Sequence, residues 1–295
     1  MKYSSGRGPR KYKKSLGQNF LSDKNLQRKI VAGCSFKDTD TVLEIGPGTG
    51  ALTRIIADKV GLLYAVEIDK ALCRALEEEF KNSPNVKIIH QDILKLELPG
   101  YFIKPKEKIK VVGNIPYYIS TPIIERLIKY RRNIEEAFLT LQKEFAKRIV
   151  AHPGSKDYGS LSCFVQYYAR AKILFTLKKN CFFPVPKVDS CFLRLNMKDE
   201  LPLDQAKEKE FFKVVRASFN QRRKTLRNSL EGVFSKARLE LFFTKYNIDK
   251  NTRPEELSPQ DFINLIRLRR RDAKKKLLQG MLLDGQALNM SADDP

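Results

Sequence analysis

Apolar residues along this chain fall in short runs rather than in one long periodic pattern. Residues 41–45, 62–68, 86–90, 110–113 and 137–141 read as strands. Between and after them, 51–60, 70–81, 122–129 and 143–150 carry helical spacing. The strands are apolar throughout instead of alternating, which predicts a parallel sheet covered on both faces by βαβ units. Two later β-like runs, 173–177 and 190–196, flank Phe182-Phe-Pro-Val-Pro-Lys187 and predict a hairpin-like extension that closes the sheet. Beyond about residue 200 the character changes. Residues 204–219, 225–230, 236–246 and 259–271 are helical with no strand between them, so a small all-helical domain is expected.

The fold class is therefore α/β, a Rossmann-like sheet with a small C-terminal helical domain. The predicted division is a basic arm over 1–15, a catalytic domain over 16–198, a helical domain over 204–271 and a polar tail over 272–295. No internal repeat is visible.

Charge alters the list of partners. The 295 residues hold 56 Lys and Arg against 34 Asp and Glu, a net +22. With 42% hydrophobic residues the chain can build a core, so it is not a disordered polycation. The surplus favours a polyanionic partner, nucleic acid before an anionic membrane surface. No apolar run is long enough to span a bilayer, and the first residues lack the apolar core of a secretory signal. Cys34, Cys73, Cys163, Cys181 and Cys191 are odd in number and lack CxxC spacing, which fits reduced thiols in a cytoplasmic protein. His90 and His152 are the only histidines, so no metal site and no Ser-His-Asp triad is expected.

Glu44-Ile-Gly-Pro-Gly-Thr-Gly50 follows the first strand and precedes a helix. Glycines there let the backbone approach a ligand at the strand's carboxyl end, with Gly46 and Gly48 the closest. The same spacing also satisfies a nicotinamide dinucleotide loop. Glu67 ends the second strand, where a carboxylate can accept hydrogen bonds from ribose hydroxyls; this suits either cofactor. The third strand leads into Gln91-Asp92, a carboxylate placed to read an adenine amine. The fourth ends Gly113-Asn-Ile-Pro-Tyr117. Acid, acid and Asn-Ile-Pro-Tyr at successive strand tips suit S-adenosylmethionine and a planar amine substrate better than a hydride donor.

The exocyclic amine of adenine is a poor nucleophile because its lone pair is delocalised into the ring. Acceptors for its two N–H bonds, the Asn114 side-chain oxygen and the Ile115 carbonyl, can turn that lone pair toward a methyl group. Pro116 stiffens the turn, and Tyr117 offers a face for the base to stack on. A base inside a duplex cannot reach such a pocket, so the target is single-stranded or flipped out.

With Gly17-Gln-Asn-Phe-Leu21, these motifs resemble the ribosomal RNA adenine dimethylases, and within them the small-subunit, KsgA-type branch. The likeness runs from about residue 16 to about 270. It implies a class I methyltransferase fold, S-adenosylmethionine as donor, and N6,N6-dimethylation of two adjacent adenines in 16S ribosomal RNA. It implies that Gln18, Asn19, Leu21, Gly46, Gly48, Glu67, Asp92 and Asn114 hold the cofactor. It gives catalysis to Asn114 and Tyr117 and makes Phe182 the second face of a base sandwich, its neighbour Phe183 being the other candidate. The GPGTG loop, Pro186-Lys-Val-Asp-Ser190 and Phe219-Asn-Gln-Arg-Arg-Lys-Thr-Leu226 favour the small-subunit branch over the sister group that methylates 23S RNA. The last motif offers Arg222, Arg223, Lys224 and Arg227, several of which would share a face on a helix and are expected to contact phosphates. A second phosphate grip is expected at 269–276. The partners implied are small-subunit RNA and the immature 30S subunit, with the protein a monomer away from membranes. A non-enzymatic RNA-binding assembly factor is the alternative role, and a nicotinamide oxidoreductase a more remote one.

Overall fold

The structure, a computed structural model, describes residues 17–98, 107–221 and 224–268. The basic arm, the polar tail, Arg222, Arg223 and the 269–276 cluster lie outside the described residues. The described chain divides into two compact units, 17–147 with 168–199, and 148–167 with 200–268.

The first unit is built on a seven-stranded sheet. Its strands are β2 (Thr41–Ile45), β3 (Leu62–Glu67), β4 (Val86–His90), β5 (Ile109–Asn114), β6 (Ile134–Gln142), β7 (Ala169–Leu177) and β9 (Ser190–Met197). The order across the sheet is β4-β3-β2-β5-β6-β9-β7. The first five run parallel, and β9 is antiparallel to both β6 and β7. Val42, Leu43, Leu63, Ala65, Val111, Val112, Ala137 and Leu139 are all buried, which is why these strands read as unbroken apolar runs. The predicted hairpin is present, but its second strand lies inward and its first forms the sheet edge, because β9 carries the more apolar run (Cys191, Phe192, Leu193) and takes the doubly covered place.

Helices α1 (Lys24–Gly33), α2 (Thr53–Ala57), α3 (Lys70–Glu79) and α4 (Ser120–Lys129) belong to this unit, and α5 (Lys143–Val150) and α6 (Ser160–Tyr168) follow β6 in the chain. α1 drew no sequence expectation, although its start is marked. Asp23 Oδ1 accepts from the backbone N–H groups of Asn25 and Leu26, a regular N-cap, and Ile30 and Val31 enter the core. α2 is shorter than the expected 51–60, since Gly50 to Leu52 are taken up by the turn leaving the glycine loop. A second, two-stranded sheet pairs β1 (Phe20–Leu21) with β8 (Phe182–Phe183), antiparallel.

The order in which strands are added reverses at β2. The path from β2 runs outward through β3 and β4, then returns to β5 on the other side. Ligands of doubly wound sheets bind at the carboxyl ends of the strands flanking such a switch point. In register, Ile45 pairs with Val66 and Gly113, and Glu67 with His90. The glycine loop, Glu67, Asp92 and Asn114 thus emerge along one rim.

The second unit is helical. α7 (Gln205–Asn220), α8 (Leu226–Ser229), α9 (Lys236–Tyr246) and α10 (Pro259–Arg267) start at Asp204, Thr225, Ser235 and Ser258, each of which caps its helix through a side-chain oxygen. The sequence division assigned 148–167 to the catalytic domain; here these residues belong to the helical unit. The reason is aromatic. Tyr158 packs edge-on against Phe219 with centroids 5.9 Å apart, and Tyr167 lies 4.8 Å from Phe211. The Tyr158 hydroxyl donates to the Leu257 carbonyl at 2.8 Å. The basic motif also departs from expectation. α7 ends at Asn220 and Thr225 caps the four-residue α8, so of the two described basic residues Lys224 lies outside a helix and Arg227 within one. Arg227 pairs with Glu240 at 3.3 Å.

Candidate active site

A cavity of about 280 Å³ opens at the rim where β2, β3, β4 and β5 end. It is lined by Gly17 to Leu21, the glycine loop, Glu67, Ile68, Asp92, Ile93, and Asn114 to Ile119. The strand-tip residues singled out in the sequence, with Gln18, Asn19 and Leu21, therefore meet in one place.

The glycine loop is shaped by positive φ. Gly46 and Gly48 sit at +67° and +60°, where a side chain is disfavoured. A Cβ on Gly48 would also come within 3.0 Å of the Phe20 ring. The loop is tied to β3. Gly48 N–H donates to Glu67 Oε2 at 3.0 Å, and the N–H groups of Ile68 and Asp69 donate to Oε1 at 2.9 Å each. A carboxylate offers about four acceptor positions, so one remains for a ribose hydroxyl; a second such contact has to displace a backbone amide. Burial raises the Glu67 carboxyl above its ordinary value, and the three amides hold it down against that.

Glu44 lies below the same loop, 2% exposed, with Oε2 buried and unpartnered. Burial pushes its carboxyl up to about 7, and the neighbouring Glu67 charge adds to the rise. Two acidic groups in the wall favour a cationic ligand such as a sulfonium, and the glycine approach and cavity size fit a nucleoside-sized molecule. The folded state keeps the Glu44 proton at pH values where the unfolded chain has released it. Glu44 therefore contributes stability to the unliganded protein that is lost as pH rises from about 4.5 to about 7. Urea unfolding at a series of pH values should show this slope, and Glu44→Gln should flatten it. Identical slopes in the two proteins would refute the assignment.

Asp92 follows β4. Its Oδ1 accepts from Leu94 N–H at 2.9 Å, which secures the turn while the carboxylate lines the cavity. Ile68, 48% exposed, and Ile93 add apolar walls suited to a purine. Neither was singled out in the sequence, though both sit beside acids that were.

Asn114 ends β5. Its side-chain NH₂ donates to the Asn19 carbonyl at 2.7 Å. That bond commits the nitrogen and leaves Oδ1 as the side chain's acceptor. Asn19 is itself held, its NH₂ donating to the Gly17 carbonyl at 3.2 Å. Tyr117 is half-buried with its hydroxyl 2.7 Å from Ser190 Oγ, and burial raises the phenol above its usual range.

The two phenylalanines after the short 3₁₀ turn Lys179–Cys181 separate cleanly. Phe182 is 2% exposed and belongs to the core with Leu21, Ile30 and Phe192. Adjacent residues of a strand point to opposite faces, and Phe183 is 53% exposed. Phe183→Ala should cut turnover on RNA about tenfold, the worth of one base stack, and leave the melting point alone. Phe182→Ala should cost about 3–5 kcal/mol of stability. The opposite pattern in melting and rate measurements would give the stacking role to Phe182.

Among the described residues no group of three His, Cys, Asp or Glu is placed to hold a metal, and all five cysteines are free thiols. No described helix is long and apolar enough to cross a membrane.

Fold and site together define a class I methyltransferase, whose donor is S-adenosylmethionine. Comparison with known proteins is specific on the family. The model for ribosomal RNA adenine dimethylase matches residues 10–270, and this chain belongs to that family. It is 43% identical over 253 residues to the ribosomal RNA small subunit methyltransferase A of Clostridium botulinum strain Loch Maree, covering 85% of this chain and 92% of the relative. With the protein of the same name from Shouchella clausii identity is 44%, over 86% and 88% of the two chains. Among solved structures, the 23S rRNA methyltransferase ErmE superposes with a TM-score of 0.70 at 27% identity, covering 84% of this chain and 98% of its own. A dimethyladenosine transferase from Plasmodium falciparum superposes at 0.69 and 26% identity, over 83% and 95%.

Proposed function

We propose that this protein dimethylates N6 of two adjacent adenines in a loop of small-subunit (16S) ribosomal RNA, during small-subunit biogenesis. One observation carries the reading. The Asn114 amide is oriented by the Asn19 carbonyl, which leaves its oxygen as an acceptor in the cavity that Tyr117 also lines. That pairing of an acceptor with a flat aromatic face suits a flipped-out adenine.

When bound, S-adenosylmethionine supplies a methyl group already activated on sulfonium. The residues of this chain do the rest. Gly46, Gly48, Glu67 and Asp92, with Gln18, Asn19 and Leu21, form the donor pocket. Asn114 Oδ1 accepts one amine N–H, the Ile115 carbonyl accepts the other, and the lone pair is turned out of the ring plane. Developing positive charge on nitrogen meets fixed dipoles that need no reorganisation. Tyr117 and Phe183 hold the base flat. Orientation is the main contribution, since no nucleophile on the protein is required.

The RNA target is supported by the net charge of +22 and by the family. The relatives at 43–44% identity carry the small-subunit name, whereas ErmE is more distant. The immature 30S subunit is the substrate particle in this reading, the protein acts as a monomer in the cytoplasm, and Lys224 and Arg227, with Arg222 and Arg223, grip phosphates. Purified protein, labelled donor and 30S subunits lacking the mark give the test. Dimethyladenosine at two adjacent positions is expected in the nuclease digest. Its absence beside an active control enzyme refutes the assignment, and donor binding without transfer would leave an assembly factor.

A further inference from the structure

Tyr117 is held from a strand it does not adjoin. It opens a short 3₁₀ turn (Tyr117–Ile119) just past the tip of β5. Its hydroxyl meets Ser190 Oγ at 2.7 Å, and Ser190 opens β9, two strands away across the tip of β6. Ser190 is fully buried and paired on both sides, with Gln142 of β6 and Leu177 of β7. The preceding residue is also fixed. The Asp189 carbonyl accepts from Lys143 N–H at 3.0 Å, and its carboxylate accepts from Lys179 N–H at 3.1 Å. Ser190 is therefore a rigid point, while Tyr117 lies half-buried on a turn where its side chain would otherwise be free to swing about χ1.

We infer that Ser190 is a positioning residue for methyl transfer: through its hydrogen bond to the Tyr117 hydroxyl it fixes the far end, and so the position and axis, of the ring on which the target adenine stacks. The inference rests on Tyr117 being the stacking ring of the proposed reaction. Asn114 and Tyr117 then have separate anchors. The amide is aimed by the Asn19 carbonyl and the ring by β9. Both must be right for the amine lone pair to point along the line of displacement, and errors near 1 Å cost about 10²-fold in rate. The raised phenol keeps its proton at neutral pH, so the O–H···O bond persists where the enzyme works. The signal in sequence is only Ser190 at the end of Pro186-Lys-Val-Asp-Ser190, and nothing in its spacing connects it with Tyr117.

The test is a double-mutant cycle with Ser190→Ala and Tyr117→Phe, assayed for methyl transfer to 30S subunits lacking the mark. Each single change removes the bond but keeps the ring. Each should lower kcat about 10-fold to 100-fold, leave the KM for donor unchanged, and leave the melting point close to wild type. The double variant should be no slower than either single, because both remove the same contact. A Ser190→Ala protein at wild-type rate refutes the inference. So do losses that multiply in the double variant, or a loss that appears as donor KM or as lowered melting alone. A wild-type protein that transfers no methyl group rejects the underlying reading of the pocket; an active wild type with an unaffected Ser190→Ala rejects only the tether.

Discussion

Replacing Asn114 with alanine is expected to lower methyl transfer about a thousandfold while most RNA affinity survives. The magnitude follows from the role. Removing a fixed hydrogen-bonding group aimed at developing charge costs about 10²–10³ in kcat, and here the same change also releases the Asn19 carbonyl. Asn114→Asp separates the two functions. It keeps an acceptor oxygen but cannot donate to Asn19, so an inactive Asp variant assigns the loss to amide orientation. Single-turnover rates with filter binding to the same RNA decide the matter. An alanine variant within tenfold of wild type would remove the account of amine activation.

Gly48→Val should have the second largest effect, on donor affinity. At φ +60° a side chain costs about 1–2 kcal/mol, and a branched one more. Its Cβ would also strike the Phe20 ring at 3.0 Å. Phe20 belongs to β1, which lines the donor pocket, so relief of the clash disturbs the wall as well as the loop. Titration calorimetry should find donor binding weakened at least about 100-fold. The fold should survive, because the loop lies at the rim and the strands beneath it are untouched. Unchanged affinity would mean that the loop does not approach the donor.

The central sheet was legible because strands buried on both faces announce themselves as apolar runs. 41–45 and 86–90 match the structure to the residue. The strand-tip residues were legible for a related reason. In a parallel sheet every second connection returns to the same rim, so Gly46, Glu67, Asp92 and Asn114 had to converge once the strands were known. What escaped depends on contacts between distant segments. β1 and β8 have two residues each and exist only by pairing with one another. The same pairing decides which of Phe182 and Phe183 is buried, and no local pattern distinguishes two identical neighbours. Residues 148–167 cluster with the helical unit because Tyr158 and Tyr167 pack on Phe219 and Phe211, 61 and 44 positions away, which no local pattern announces. The basic motif was put on a helix although Thr225, a regular capping residue, lies within it.

The short β1–β8 ribbon sets a rule for the length of the chain around it. One of its strands borders the donor and the other carries the exposed ring. Their alignment consists of two residue pairs, Phe20 with Phe183 and Leu21 with Phe182. Side chains alternate, so deleting or inserting a single amino acid between Leu177 and Phe182 would swap the inward and outward phenylalanines. Composition in that stretch is free to drift among polar residues, whereas a frame change of one is not tolerated, and indels there should be purged far more strongly than substitutions.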